Sequence, residues 1–248
     1  MIHADFGCSN HCSGGRSLAM NCKGRALMRT EQQHWSFDLA DLPTGATLRS
    51  VRATPAVVAG RRALRVSLTD EVLLEGRPGI HYIDMPTFVR LPVALTDGTV
   101  CVDILARPNA HAPDYARGFA GLAYRIGEGD TRFEAVYLRP LNGLRTNPPA
   151  PRRQRAVQYF AYPDWRYERL RAEYPDGRYE AAADIGPDNW ATLRLDIAGR
   201  SVTASVDGRV VLSIPEAKAD PMEGAIGLFV DIGTEAFFSN LRVSRAET

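Results

Sequence analysis

The chain has 248 residues, is 45% hydrophobic and carries a formal net charge of +1. That length and apolar content support a substantial core in one all-β domain. The near-neutral charge gives no electrostatic footprint for nucleic acid or an anionic membrane, and no apolar run approaches the roughly 18 residues a membrane helix needs.

Residues 1–30 are rich in Gly, Ser, Asn and Cys and lack periodicity, which reads as an irregular leader before a domain over 31–248. Ser17–Met20 is too short an apolar core for a signal peptide, so the expectation is a soluble, cytoplasmic protein. Cys8, Cys12 and Cys22, with His3 and His11 nearby, match no common zinc spacing. No metal and no cofactor is expected.

Strands begin at Trp35–Phe37 and continue through Leu48–Val51 and Ala63–Leu68, where Leu64, Val66 and Leu68 alternate with polar residues. Glu71–Pro78 reads as loop. Ile80–Met85 reads as extended, carrying His81, Tyr82 and Asp84, and Thr87–Leu91 as the next strand. After the Thr96-Asp97-Gly98-Thr99 turn, Val100, Val102 and Ile104 alternate with Cys101, Asp103 and Leu105. Cys101 reads as a small buried hydrophobe.

The apolar runs Phe119–Ile126 and Phe133–Leu138 are joined by Gly127-Glu128-Gly129-Asp130 and read as a strand pair. Residues 144–155, LRTNPPAPRRQR, hold too many prolines for a central strand or a helix. A loop of that length borders a binding cleft or is simply solvated. A third run, Ala156–Tyr162, opens into Pro163-Asp164-Trp165-Arg166, and Arg166–Glu173 suits a brief helical turn.

Trp190–Ile197 alternates strictly. Ala198-Gly199-Arg200 turns it into Val202–Val206, and Asp207-Gly208 turns that into Val210–Ile214, an antiparallel meander. Gly224–Val230 and Phe237–Val243 close the chain. A dozen or so short runs without a long amphipathic helix imply a two-sheet antiparallel jelly-roll sandwich.

The run from Trp190 to Leu212, then GAIGLFVDIGTEAFFSNLRV, resembles the concanavalin A-like lectin/glucanase superfamily, including laminin-G-type modules and the 3-keto-disaccharide hydrolase domain. ARGFAGLAYR, YLRPLNG and VQYFAYPDW extend the resemblance over roughly residues 35–243 and point to a narrower bacterial branch. It implies two curved sheets with a saccharide on the concave one. The E-x-D-x-x-E strand of the superfamily's glucanases is absent, so that catalytic pattern is not expected, and no loop has calcium-ligand density.

Tyr137 and Arg139, two apart on a strand, share a face. Tyr137 suits either a sheet core or a sugar contact, and Arg139 either a salt bridge or a ligand. Asn142 before Gly143 suits a turn or a hydroxyl contact, and Gln158 shares a face with Phe160 and Tyr162. Rings interleaved with planar donors and acceptors are what a sugar needs. The substrate-binding candidates are Tyr137, Arg139, Asn142, Gln158, Tyr162, Trp165, Arg166, His81 and Asp84. Glu134 and Asp164 are the first acids to consider for glycosidic acid/base chemistry. A non-catalytic carbohydrate-binding module and a protein-adhesion sandwich are the alternatives.

Overall fold

The computed structural model describes residues 19, 20, 26, 27 and 33–246. The chain divides into two units, residues 1–32 with 247, and residues 33–246 with 248. Within the first, β1 (Ala19–Met20) pairs antiparallel with β2 (Ala26–Leu27). Cys8, Cys12 and Cys22 lie outside the described residues.

The second unit is a sandwich of two antiparallel sheets. One runs β12 (Glu180–Ala181), β11 (Val157–Tyr162), β10 (Phe133–Leu138), β9 (Ala120–Ile126), β16 (Gly224–Val230), β7 (Phe88–Leu95) and β4 (Thr47–Arg49). The other runs β15 (Arg209–Ile214), β14 (Ser201–Val206), β13 (Ala191–Ala198), β8 (Gly98–Pro108), β17 (Thr234–Arg245), β6 (Arg61–Leu68) and β5 (Val51–Val58), with β3 (His34–Phe37) also on β17. In the second sheet alternation does the work: Val100, Val102 and Ile104 are buried, as are Leu193, Leu195 and Ile197. Cys101 points the other way, half-buried beside its cross-strand neighbours Arg194 and Arg242, and is not the core residue its apolar character suggests.

Strands β9, β10, β11 and β16 are buried on both faces, so they read as continuous apolar runs. Register separates those faces. Glu134, Val136 and Tyr159 share one, and Tyr137, Gln158 and Phe160 share the other. Glu134 bonds Arg125, which reaches the carbonyl of Thr96, in the link from β7 to β8, and that of Gly199, in the β13–β14 turn of the second sheet. Tyr137 therefore faces away from the second sheet. Gly121 lies opposite Tyr137, where an added Cβ would sit 2.2 Å from the Val136 carbonyl oxygen, so only glycine lets these strands close here.

Glu71–Pro78, expected as loop, is helical over its first five residues as part of α1 (Asp70–Glu75), because the Thr69 side chain caps Val72 N–H and Asp70 and Glu71 occupy the first turn. Ile80–Met85 is a series of turns, not a strand; Ile83 and Asp84 both have left-handed backbone, at φ 70° and 54°. The helical turn expected after Arg166 is α2 (Tyr167–Glu173). Among the described residues no helix is long and apolar enough to cross a membrane.

Candidate functional site

Where β10 ends, Arg139 leaves the sheet and Pro140–Asn142 forms a 3-10 turn. This end of the sheet borders a cavity of about 440 Å³. Its floor holds Tyr137, Arg139 and Phe119; the 78–84 turns, Asp231, α2 and the Pro/Arg-rich loop complete the wall. Tyr115, 46% exposed, also lines it and is an aromatic surface open to solvent.

Arg139 is 4% exposed and organises the floor. Its Nη1 donates to Glu180 Oε1 at 2.8 Å, and its Nη2 donates to the Tyr137 hydroxyl at 2.8 Å and to Gln158 Oε1 at 3.0 Å. A buried cation needs such partners. Arg171 and Arg155 also reach Glu180, at 2.6 and 3.4 Å. Burial works against the ionised Glu180, but hydrogen bonds from Arg171 and the charges of Arg139, Arg171 and Arg155 win and hold its carboxyl below the usual range.

Asp84 is the acid of this cavity. The Tyr137 hydroxyl donates to its Oδ1 at 3.2 Å, and the Tyr167 N–H, at the start of α2, donates to its Oδ2 at 2.7 Å. Burial first, then the neighbouring charge of Asp231, pushes the Asp84 carboxyl up to about 7; the Tyr167 N–H, Arg139 and Tyr137 act against that rise. Burial likewise raises Asp231. Asp231 spends its oxygens on backbone: Oδ1 accepts from Ile83 N–H at 2.9 Å and Ile232 N–H at 2.6 Å, and Oδ2 from Asp84 N–H at 2.9 Å. Those bonds pin the left-handed turn that delivers Asp84. A branched residue such as Ile83 rarely adopts that backbone and costs about 1–3 kcal/mol there.

Two buried polar atoms in the wall have no partner among the described residues, Arg139 Nε and Asn142 Oδ1. The Asn142 amide donates to the Arg155 carbonyl at 3.0 Å, so only its oxygen is unused. Groups of this kind cost about 1–3 kcal/mol each when unpaired.

Of the residues singled out in the sequence, Tyr137, Arg139, Asn142 and Asp84 line this cavity together. Gln158 lies behind Arg139, fully buried. Tyr162, Asp164 and Trp165 border a separate hollow with Lys218 and Arg132. Trp165 does not face Arg139's cavity; its ring is flanked by the Arg169 guanidinium at 3.9 Å and Lys218 Nζ at 4.7 Å. Arg166 is occupied by the Gly79 carbonyl and Met85, and His81 Nδ1 accepts from Arg77 N–H. Glu134 lies outside the cavity, fully buried and committed to Arg125 Nη1 at 2.9 Å and the Tyr159 hydroxyl at 2.5 Å. The residues missed, Arg117, Phe119, Tyr167, Arg171 and Glu180, come from separate segments that only the fold brings together. The Pro/Arg-rich loop does reach the wall, through Arg152 and Arg155.

No family model matches the chain, nor does any curated protein. Among solved structures, a protein of unknown function with a galectin-like fold from Bacillus subtilis is similar at 10% identity and a TM-score of 0.50, covering 84% of this chain and 94% of that one. The carbohydrate-binding module CBM66 from Bacillus subtilis is similar at 14% identity and a TM-score of 0.47, over 79% and 96% of the two chains. Domain 4 of a GH43 extracellular arabinanase from Geobacillus stearothermophilus, solved with arabinotriose, gives 14% and 0.46, over 85% and 90%. The first of these likenesses shows the fold, a two-sheet sandwich of concanavalin A-like type.

Proposed function

We propose that this protein binds a saccharide in the cavity above Tyr137 and Arg139 and acts on it by proton transfer through Asp84. The observation that carries the reading is the Asp84 carboxyl: fully buried, in the cavity wall, and raised to about 7, where it is half-protonated at neutral pH. A volume of about 440 Å³ is within the usual range of small-ligand pockets. Phe119, Tyr115 and Tyr167 supply ring surface, and Asn142 and Arg139 supply planar polar groups, the mixture that sugar rings and hydroxyls require. The superfamily resemblance in the sequence points to the same ligand class.

Protonated Asp84 can donate its proton to a departing glycosidic oxygen as the C–O bond breaks, while a water molecule adds to the anomeric carbon and gives up its own proton. The carboxylate left behind is stabilised by the Tyr137 hydroxyl, the Tyr167 N–H and the Arg139 charge. Glycosidases commonly use two carboxyl groups, and the other one in this wall, Asp231, is committed to three backbone N–H groups. That commitment favours a second reading, a binding module without turnover.

Product release from a glycoside and oligosaccharide panel, measured beside calorimetric binding for wild type and Asp84→Asn, tests both. The first reading expects binding by both proteins and turnover by wild type alone. Binding without turnover by either gives the second reading, and a panel that wild type neither binds nor cleaves refutes both.

A further inference from the structure

Resting on the saccharide reading of this cavity, we infer that its ligand is an acidic sugar, whose carboxylate docks between Arg117 and Arg152. Five guanidinium groups line the wall, those of Arg117, Arg139, Arg152, Arg155 and Arg171. Three of them, Arg139, Arg155 and Arg171, converge on one carboxylate, Glu180. Asp84 and Asp231 are the acids of the wall itself. Five cations against three acids leave the cavity positive even with every acid ionised, in a chain whose net charge is only +1.

The surplus is localised. Among the described residues neither Arg117 nor Arg152 has a carboxylate within ion-pair distance, whereas the other three share Glu180. Arg117 Nη1 donates to two backbone carbonyls, of Asp114 and Ala116, which fix its position without neutralising it. Burial and then the like charges of Arg152 and Arg139 hold its guanidinium below the usual range, and the charge of Asp114, beyond ion-pair distance, offsets them only in part. Arg117 and Arg152 are half-buried, so an anion between them is partly desolvated and its attraction exceeds that of a surface pair. A planar guanidinium fork matches a carboxylate in two-point geometry.

The test is calorimetric binding by the full chain of D-glucuronate, D-galacturonate and short uronate oligomers. Their neutral parents and glucose 6-phosphate serve as comparisons, at low and high salt. Arg152→Met and Arg117→Met keep most of the side-chain stem and remove the charge; both residues are half-buried, and circular dichroism checks that each variant folds. The expected result is uronate binding at least tenfold tighter than the neutral parent, weakened by salt. That preference would fall at least fivefold in Arg152→Met, the loss of affinity falling on the uronate rather than on its neutral parent. Neutral sugars binding as well as uronates, with Arg152→Met indifferent to both, overturns the acidic-sugar inference and leaves the saccharide reading standing. Tighter binding of the phosphate ester than of any uronate overturns the carboxylate assignment. If no sugar of either kind binds, the saccharide reading itself falls.

Discussion

Replacing Asp84 by Asn removes a carboxyl whose titration the fold moves from 3.8 to about 7. Between those values the folded protein binds a proton at Asp84 that the unfolded chain has released. Stability therefore falls as pH rises through this window, and is highest, for this group, below it. At ~1.36 kcal/mol per pK unit the full excursion is roughly 4 kcal/mol. Asp231 and Glu134 are raised as well, mainly by burial, and give slopes of the same sign, but both remain in the variant. The difference between wild type and Asp84→Asn isolates the contribution of Asp84. Urea unfolding of both proteins at half-unit steps from pH 4 to 8.5 measures it. Wild type should lose several kcal/mol relative to the variant across that range, most of it between pH 5 and 7. Parallel curves would mean that Asp84 titrates as an ordinary surface acid, and would remove the basis for its role in proton transfer.

Glu180→Ala should lower unfolding free energy by about 3–5 kcal/mol in urea titrations, because it strips the buried Arg139 of its carboxylate and releases Arg171 and Arg155 as well; a loss under 1 kcal/mol would show that the cluster does not hold the floor. Glu134→Gln should destabilise by less, about 1–3 kcal/mol, because the buried Arg125 loses its sealed carboxylate but keeps Asp97. Saccharide affinity measured by calorimetry on that variant should stay within twofold of wild type, since Glu134 lies outside the cavity. Tyr137→Phe removes the hydroxyl that bridges Arg139 and Asp84. The alkaline limb of any pH–rate profile governed by protonated Asp84 should then move to higher pH, because the hydroxyl no longer favours the carboxylate, and an unmoved limb would argue against that bridge.

The sheets were legible in the sequence because their signals are local. Strict alternation with Ala198-Gly199 and Asp207-Gly208 turns places β13, β14 and β15 without any long-range information. Period two also put Tyr137 and Arg139 on one face, where both line the cavity. The segment at residues 70–75 had a readable signal too, a Thr cap followed by two acids, obscured by its shortness. The rest of the site was beyond sequence reasoning for a physical reason. Asp84 stands out by residue type, but its place beside Tyr137 does not: it is delivered by a turn with left-handed backbone, which alternation rules do not describe, and that turn is pinned by Asp231 from 147 residues away. Glu180 looks like any strand-edge acid until three arginines meet on it. Trp165 shows the converse error: a loop aromatic next to the right strand, whose backbone pairs with Ala161 and whose ring turns to Lys218.

Hydrogen-exchange protection of the full chain on adding a saturating saccharide tests the placement of the site most directly. Protection should concentrate on residues 83–84, 139–142 and 167–171, the backbone that carries the cavity wall. Protection centred on 162–165 and 218–220 instead, around Trp165, would put the ligand in the other hollow and contradict the assignment.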